Sequence, residues 1–369
     1  MPEPIYILAP VGSLDRLVRT SKIRSVLMET GRPLIHLAWK RSDDDQPNPA
    51  PVETQVILEG GGYQSSGLAR WYMKYLAANK TALKNLPDGS CIYALGFFAA
   101  FPAALLARRR KFKVLFDHND TFSKSYPLPG PLKALVEKME SFTVRRARIH
   151  LIPGENRWTQ GDANRRVVPN VPTQDVAQAA KEIAEKGGFA KGERFTLYVN
   201  GWLTPERGMG PLMKALALIP DAPINILLAG RIENDDPALA ALLKQPNVEF
   251  LGNLDQPNAL AHYGRAHATL TFYDPVVEIN RYAEPNKWGD CILTQTTFIV
   301  NREVVTAKPF FDAGSCFAVP FHDDRALADL LQRLSDNPSE AIEAGQRLKQ
   351  FGGDPWEIQM QRVIQDWLA

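Results

Sequence analysis

The strongest constraint on this chain is an alternation that runs through it twice. Short apolar runs, Ile5-Tyr-Ile-Leu-Ala, Leu34-Ile-His-Leu-Ala, Gln55-Val-Ile-Leu, Cys91-Ile-Tyr-Ala-Leu, Lys113-Val-Leu-Phe and Ile149-His-Leu-Ile, are mostly separated by stretches with helical spacing. Continuous apolar runs of this length suit strands buried on both faces, and parallel strands need long, usually helical, crossovers between them. Residues 68–86 and 131–147 supply such helices; the second opens on a proline at its first position and ends in Arg145 and Arg146, which suit a helix C-terminus. Runs at 195–199, 224–228, 248–251, 268–272, 297–300 and 316–319 repeat the pattern. The expected fold is α/β, with two doubly wound parallel sheets.

A chain of 369 residues, 45% of them hydrophobic, exceeds what one core usually supports, so two domains are expected. We place them at 1–175 and 195–353. The polar segment at 176–194, with Gly187-Gly188 inside, reads as the connection, part helix and part linker, and 354–369 reads as a final helix. Three scattered cysteines make neither a disulfide framework nor a zinc site, and a reducing cytoplasm is expected. The first apolar run has no basic segment ahead of it, so a secretory signal is not expected. Asp43-Asp-Asp45 lies in a proline-broken stretch and reads as surface loop. The six histidines are not ligand-spaced, and no Gly-x-Gly-x-x-Gly follows the first strand. No metal or cofactor is expected.

Residues 91–107 carry no charge and precede Arg108-Arg-Arg-Lys, which imitates a membrane span. Gly96 and Pro102 argue instead for a strand, a glycine turn and a buried helix. Net charge is unevenly divided: residues 1–175 hold 25 Lys/Arg and 16 Asp/Glu, a net of +9, and the rest hold 18 and 25, a net of −7. A basic first half suits an anionic membrane surface or a phosphorylated acceptor, through residues 108–113 and the Arg16, Arg19, Lys22, Arg24 group. No nucleic-acid motif and no aromatics interleaved with the basic residues support nucleic acid as the partner.

The most informative local stretch is Tyr282-Ala-Glu-Pro-Asn-Lys-Trp-Gly-Asp-Cys291. Pro285 restrains Glu284 away from helix, so a helix starts at Asn286 or Lys287 with its free N–H groups outward. Lys287 adds a positive charge where the helix dipole already favours an anion, and Asp290 falls on the same face. Phosphate beside a pair of hydroxyls is the chemistry of a nucleotide sugar; a plainly capped surface helix is the alternative. Residues 197–214 read as a strand, a glycine turn at Gly201, and Arg207-Gly208 before another helix.

Together the two stretches resemble the donor-binding half of a GT-B glycosyltransferase, most like family 4 and relatives with a Pro-Asn-Lys-x-x-Glu signature. The resemblance implies two Rossmann-like domains facing a cleft and a C-terminal helix crossing back to the N-terminal domain. That helix has Trp356, Ile358, Met360, Val363, Ile364 and Trp367 as its apolar members. It also implies a metal-independent transfer from a UDP- or GDP-sugar, with Arg207 and Lys287 on the diphosphate and Gly201 and Asn286 beside them. Asp290 stands where the family has a glutamate for the ribose, and Trp202 replaces an expected cation. The family's earlier acidic position is Tyr282, so Glu278 is taken for the sugar hydroxyls; the usual Gly-x-Pro turn is Gln295-Thr-Thr297.

In the first half, Phe116-Asp-His-Asn-Asp-Thr121 follows a strand, at the end where open α/β sheets hold their ligands. His118 is the candidate for the donor sugar, and Asp117 or Asp120 for orienting or deprotonating an acceptor hydroxyl. A helix-capping Asp and a structural His are the alternative. Gly60-Gly-Gly-Tyr-Gln-Ser65 is a flexible loop in which Gly61, Gly62 and Tyr63 are candidates for the acceptor. The expected protein is thus a glycosyltransferase on the inner face of a membrane, acting on a lipid-linked or polysaccharide acceptor in bacterial exopolysaccharide or envelope synthesis. Family resemblance favours retention of configuration. The rivals are a sugar-nucleotide epimerase or hydrolase of the same fold, and a non-catalytic nucleotide-sugar-binding homologue.

Overall fold

The structure, a computed structural model, describes residues 2–63, 67–232 and 237–369. The chain divides into two compact units, Met1–Pro169 with Glu357–Ala369, and Asn170–Trp356.

The first unit runs β1 (Ile5–Ala9), α1 (Val18–Met28), β2 (Leu34–Lys40), β3 (Glu53–Glu59), α2 (Leu68–Lys84), β4 (Cys91–Leu95), α3 (Phe97–Arg110), β5 (Lys113–Asp117), α4 (Phe122–Ser125), α5 (Gly130–Arg146), β6 (Ile149–Ile152) and β7 (Arg165–Val167). Its seven strands are parallel, in the order β3-β2-β1-β4-β5-β6-β7. Every residue of β1 and β4 is buried, as their unbroken apolar runs require. The span-like stretch at 91–107 is β4, a turn at Gly96 (φ 77°), and α3, which buries Phe97 and five of its alanines. No helix among the described residues is long and apolar enough to cross a membrane.

The second unit runs α6 (Gln174–Gly187), β8 (Thr196–Trp202), α7 (Met209–Leu218), β9 (Asn225–Arg231), α8 (Pro237–Leu242), β10 (Val248–Phe250), α9 (Gln256–Ala261), β11 (Ala268–Thr271), α10 (Asn286–Thr294), β12 (Thr297–Asn301), α11 (Lys308–Asp312), β13 (Cys316–Val319), α12 (Asp324–Asp336) and α13 (Pro338–Gln346). Its six parallel strands are ordered β10-β9-β8-β11-β12-β13. Leu197, Leu212, Leu270 and Ile299 belong to one buried cluster, and Tyr198, Tyr263, Trp288 and Phe298 to another, because alternate strand residues point to opposite faces. The last helix, α14 (Trp356–Leu368), lies on the first unit's sheet: Trp367 Nε1 donates to the Lys113 carbonyl (2.9 Å), and Arg166 pairs with Asp366 (3.0 Å).

Two expectations need correcting. The segment read as a connection, part helix and part linker, 176–194, does hold a helix, α6, but that helix belongs to the second unit's core. Val176, Ala180, Ile183 and Ala184 form a stripe at helical spacing that packs with Leu260, Ala261 and Tyr263, so the chain passes between units at Pro169–Asn170 instead. Asp45 is also not a surface residue. It is buried, and its carboxylate accepts the backbone N–H groups of Arg41 (2.8 Å) and Ser42 (3.1 Å) and the Tyr63 hydroxyl (2.9 Å); Asp43 and Asp44 are exposed.

Both sheets reverse winding direction once, between β1 and β4 in the first and between β8 and β11 in the second. Crevices at the carboxyl ends of such neighbours are where doubly wound folds bind ligands. The loops after β8 and β11 carry Arg207 and the start of α10; those after β1, β4 and β5 carry Pro10, Gly96 and Asn119-Asp120.

Candidate active site

In the second unit, β8 ends at Gly201 and Trp202, paired in register with Gly230 and Arg231 of β9. Gly230 has φ 132°, and a Cβ there would stand 1.8 Å from the Gly201 carbonyl oxygen, so only glycine permits this approach. A Cβ on Gly201 (φ 99°) would lie 3.7 Å from Lys287 Cε. Lys287 therefore runs alongside a bare strand end. A 3₁₀ turn over Pro205–Arg207 follows, and Gly208 (φ 99°) lets the chain enter α7 against Phe272. The Asp274 N–H donates to the Glu206 carbonyl (3.0 Å), which ties the loop after β11 to this turn and sets the Arg207 guanidinium 4.8 Å from the Tyr273 ring centre.

Helix α10 starts at Asn286 after Pro285 (ψ 149°), and no side chain caps it. Its entry is fixed from outside: Asn170 Nδ2 donates to the Glu284 carbonyl (2.8 Å), and Trp288 Nε1 to Thr271 Oγ1 (3.2 Å). Asn286 and Arg207 are exposed and Lys287 is half-buried. Neither Lys287 nor Arg207 makes an ion pair among the described residues. Desolvation lowers the Lys287 ammonium to about 8, and the neighbouring charge of Arg207 pushes in the same direction. Two close cations at an uncapped helix start, beside positive-φ glycine backbone, are an arrangement that favours an anion.

The carboxylates expected nearby are placed less simply. Asp290 is only 8% exposed. Burial first, and then its negative charge, raises the Tyr198 and Tyr263 hydroxyls well above their ordinary range. Glu278 opens a 3₁₀ turn over Glu278–Tyr282 and is half-buried. Gln295 closes α10 with φ 51°, the left-handed conformation that glycine adopts without strain.

In the first unit, Asp117 lies at the end of β5 and is 1% exposed. Its carboxylate is engaged by a bidentate pair with Arg19 (Nε 2.7 Å, Nη2 2.8 Å) and by the Tyr93 hydroxyl. Against the desolvation that alone would lower it, Asp117 raises the Arg19 guanidinium above its usual range. His118, the candidate for the donor sugar, is equally buried, at 1% exposed. It belongs to a chain of polar groups: His150 Nδ1 meets Asp162 Oδ2 (2.5 Å), His150 Nε2 meets His118 Nδ1 (3.0 Å), and His118 Nε2 lies 3.6 Å from Glu140 Oε1. Glu140 accepts the N–H groups of Phe122 (2.6 Å) and Ser123 (3.4 Å), which open α4. Desolvation lowers His150, and in a neutral ring that donates Nδ1–H to Asp162 the Nε2 accepts from His118.

Asp120 differs, with its side chain more than half exposed and paired to Arg157 at 3.3 Å. It lines a cavity of about 290 Å³ with Asn119, Pro10, Gly96 and a set of aromatic rings. Gly60, Gly61 and Gly62 all have positive φ (89°, 97° and 58°), and Gly60 and Gly62 N–H groups bond to the Lys40 and Arg41 carbonyls; Gln64 and Ser65 lie outside the described residues. Tyr63 is held by Asp45, and burial, the first cause, pushes its hydroxyl up to about 12. Sequence reasoning missed Tyr273, Gly230 and the aromatic cavity wall. For Gly230 the signal was present, since it stands at the carboxyl end of a strand.

No family model matches the chain, and no curated protein matches it in sequence. Solved structures do match in shape. A sucrose-phosphate synthase (tll1590) from Thermosynechococcus elongatus superposes with TM-score 0.69 at 17% identity, covering 100% of both chains. Anabaena Alr3699/HepE, solved with UDP and glucose, gives 0.61 at 14% identity over 99% of this chain and 97% of its own. A putative UDP-N-acetylglucosamine 2-epimerase from Listeria monocytogenes gives 0.62 at 11% identity over 99% and 96%. Such identities speak for fold alone, and the fold is the two-domain GT-B architecture of Rossmann-like halves.

Proposed function

We propose that the protein is a glycosyltransferase that takes a nucleoside diphosphate sugar in its second unit and an acceptor in its first. The observation that carries this reading is the approach of Arg207, on the turn before α7, to Lys287 at the start of α10, two neighbouring cations that make no ion pair among the described residues, with the Asp290 charge nearby only partly offsetting them. Diphosphate supplies the missing charge, and during transfer the same cations meet the negative charge that develops on the leaving phosphate. HepE, of similar fold, was solved with UDP-glucose, which supports UDP ahead of GDP as the nucleotide. Transfer without a metal and with retention of configuration completes the reading, the departing phosphate assisting the incoming hydroxyl. The acceptor in this reading is a lipid-linked or polysaccharide intermediate of exopolysaccharide or envelope synthesis.

A thermal-shift panel of UDP- and GDP-sugars tests the donor site. Ligand linkage stabilises by ~2.7 kcal/mol at a hundredfold excess over Kd, and no shift with any donor rules the assignment out. The Listeria epimerase of similar fold keeps a second reading in play, conversion of the sugar nucleotide itself. Product analysis with and without acceptor separates the two.

Titration of Lys287 gives the donor site a pH signature. An anion binds the ammonium form, whose free-protein pKa is about 8, so affinity holds steady below that value and declines above it, by up to about tenfold per pH unit. Lys287→Arg removes the decline, because guanidinium does not titrate in that range. Donor Kd measured from pH 7 to 9.5 in both proteins checks this; identical profiles would place the titrating group elsewhere.

The basic first half is assigned to an anionic membrane face, each basic residue near the surface adding about 1 kcal/mol. Flotation with anionic vesicles should be reversed by salt. Binding that ignores salt, or none, removes the membrane from this reading.

A further inference from the structure

Helices α2, α3 and α5 pack side by side on one face of the first sheet, burying Tyr75, Ala103 and Val144 in the same cluster as Leu8, Ile92 and Val114. Their charges are nearly all of one sign. Within their bounds lie eleven basic residues and two acidic ones, Glu137 and Glu140. Glu140 is fully buried and serves the N–H groups that open α4, so Glu137 is the only carboxylate that these three helices present to solvent.

The last turns of α3 and α5 meet around a hollow of about 500 Å³ lined by Ala104, Leu105, Arg108, Arg109, Phe142 and Arg146. All three arginines are exposed, and none of their guanidinium groups makes an ion pair or hydrogen bond among the described residues. Arg146 lies over the Phe142 ring (5.4 Å), and Phe142 meets Phe101 of α3 edge to face (6.3 Å), which joins the two helices at this point. Basic last turns answer the helix dipoles and would be expected of any two such helices. Two further observations go beyond that. Helix α2 carries four basic residues and no acidic one along its whole length, and Met73 (59% exposed), Leu105 (45%), Leu132 (45%) and Leu135 (54%) stand in the open among the cations. Leu135, Phe142 and Arg146 fall on one stripe of α5, at spacings of seven and four. Large apolar side chains interleaved with unpaired cations, on a face almost without carboxylates, suit the interface of an anionic bilayer. The other basic group of this unit offers no such face, because Arg16, Arg19 and Arg24 are paired with Asp45, Asp117 and Asp15.

We propose that the α2–α3–α5 face rests on an anionic membrane, with a lipid headgroup phosphate seated among Arg108, Arg109 and Arg146 while Leu105 and Leu135 enter the acyl boundary. Guanidinium forks match a phosphodiester with paired hydrogen bonds. The proposal rests on the membrane reading of the basic first half, and it assigns that contact to one face and one hollow.

Flotation of the full chain with vesicles of phosphatidylcholine, alone or mixed with phosphatidylglycerol, tests it. The wild-type protein should partition onto the mixed vesicles only. Arg108→Ala, Arg109→Ala and Arg146→Ala combined should weaken that partition on the order of 100-fold, since each basic residue near the surface contributes about fivefold. Arg16→Ala, Lys22→Ala and Arg24→Ala combined remove the same charge from elsewhere in the unit and should weaken it only slightly. Leu105→Ser with Leu135→Ser should cost roughly tenfold and leave the salt dependence in place. The substituted side chains of the hollow are exposed, so melting curves should not move. If the arginine triple variant does melt early, Arg109→Gln alone, expected to weaken partition about fivefold, decides the matter. Equal weakening by the two triple variants overturns the hollow while the membrane reading stands. Equal partition onto both kinds of vesicle overturns it too, as does tighter binding to a DNA duplex than to the mixed vesicles. No flotation of the wild type overturns the proposal and the membrane reading together, and leaves the donor site to its own test.

Discussion

Lys287→Ala and Arg207→Ala should each lower turnover on the order of 100-fold or more while leaving the fold intact. The magnitude follows from removing one charge-stabilising donor at the position where negative charge develops. The fold is expected to tolerate both changes for local reasons. Arg207 is exposed on a short turn, and Lys287 is a half-buried cation whose desolvation already works against it. Asp290→Ala should behave differently. Its carboxylate is 8% exposed and lies near two buried tyrosine hydroxyls, so its loss should lower the melting temperature as well as donor affinity. Steady-state kinetics beside melting curves separate these cases. Wild-type turnover in both cation variants would mean that the diphosphate binds elsewhere.

Arg19→Ala is expected to be the most destabilising of the changes discussed. It would leave Asp117, 1% exposed, with only the Tyr93 hydroxyl, and breaking a buried pair from one side costs about 3–5 kcal/mol. For a unit of this size each kcal/mol is worth roughly 2–4 °C, so a fall of about 6–20 °C should appear in the melting curve. Asp117→Asn should also destabilise, since it removes the carboxylate charge that faces the buried guanidinium in a bidentate pair. Asp120→Asn should destabilise less, because Asp120 is itself 58% exposed although its partner Arg157 is buried. Its effect should fall on kcat. A loss of about 10²–10⁴-fold would mark Asp120 as a base, and with it an inverting transfer; a much smaller loss fits retention with Asp120 only orienting the hydroxyl. The anomeric configuration of the product, read by NMR, must agree. A stable Arg19→Ala protein would show that Asp117 is free to act, and would return it to candidacy as the base.

Much of the fold was legible because a parallel strand buried on both faces must be apolar throughout. All twelve apolar runs noted in the sequence coincide with strands. The thirteenth, β7, is Arg165-Arg166-Val167, a half-buried edge strand with no apolar run to announce it. Helix α6 was read as part of the connection between domains because its charged residues hide a four-residue apolar stripe that matters only once α9 lies against it. At the candidate site, the local settings of Lys287, Gly201 and Arg207 were accessible to sequence reasoning since helix starts and strand ends are local features. Asp117 and His118 were not. Whether a carboxylate at a strand end faces a ligand or an arginine 98 residues earlier is decided by tertiary packing, and so is the second histidine that turns the His118 ring inward.

The polar chain from Asp162 through His150 and His118 to Glu140 ends on the N–H groups that begin α4, and α4 supplies Phe122 and Ser125 to the cavity wall. Both imidazoles are shut away from water. Their ring protons are consequently protected from exchange and resonate in an uncrowded downfield region of the NMR spectrum. The first unit therefore contains its own reporter: a ligand entering the cavity and shifting α4 would register on two histidine protons, without a label or a substitution at the site.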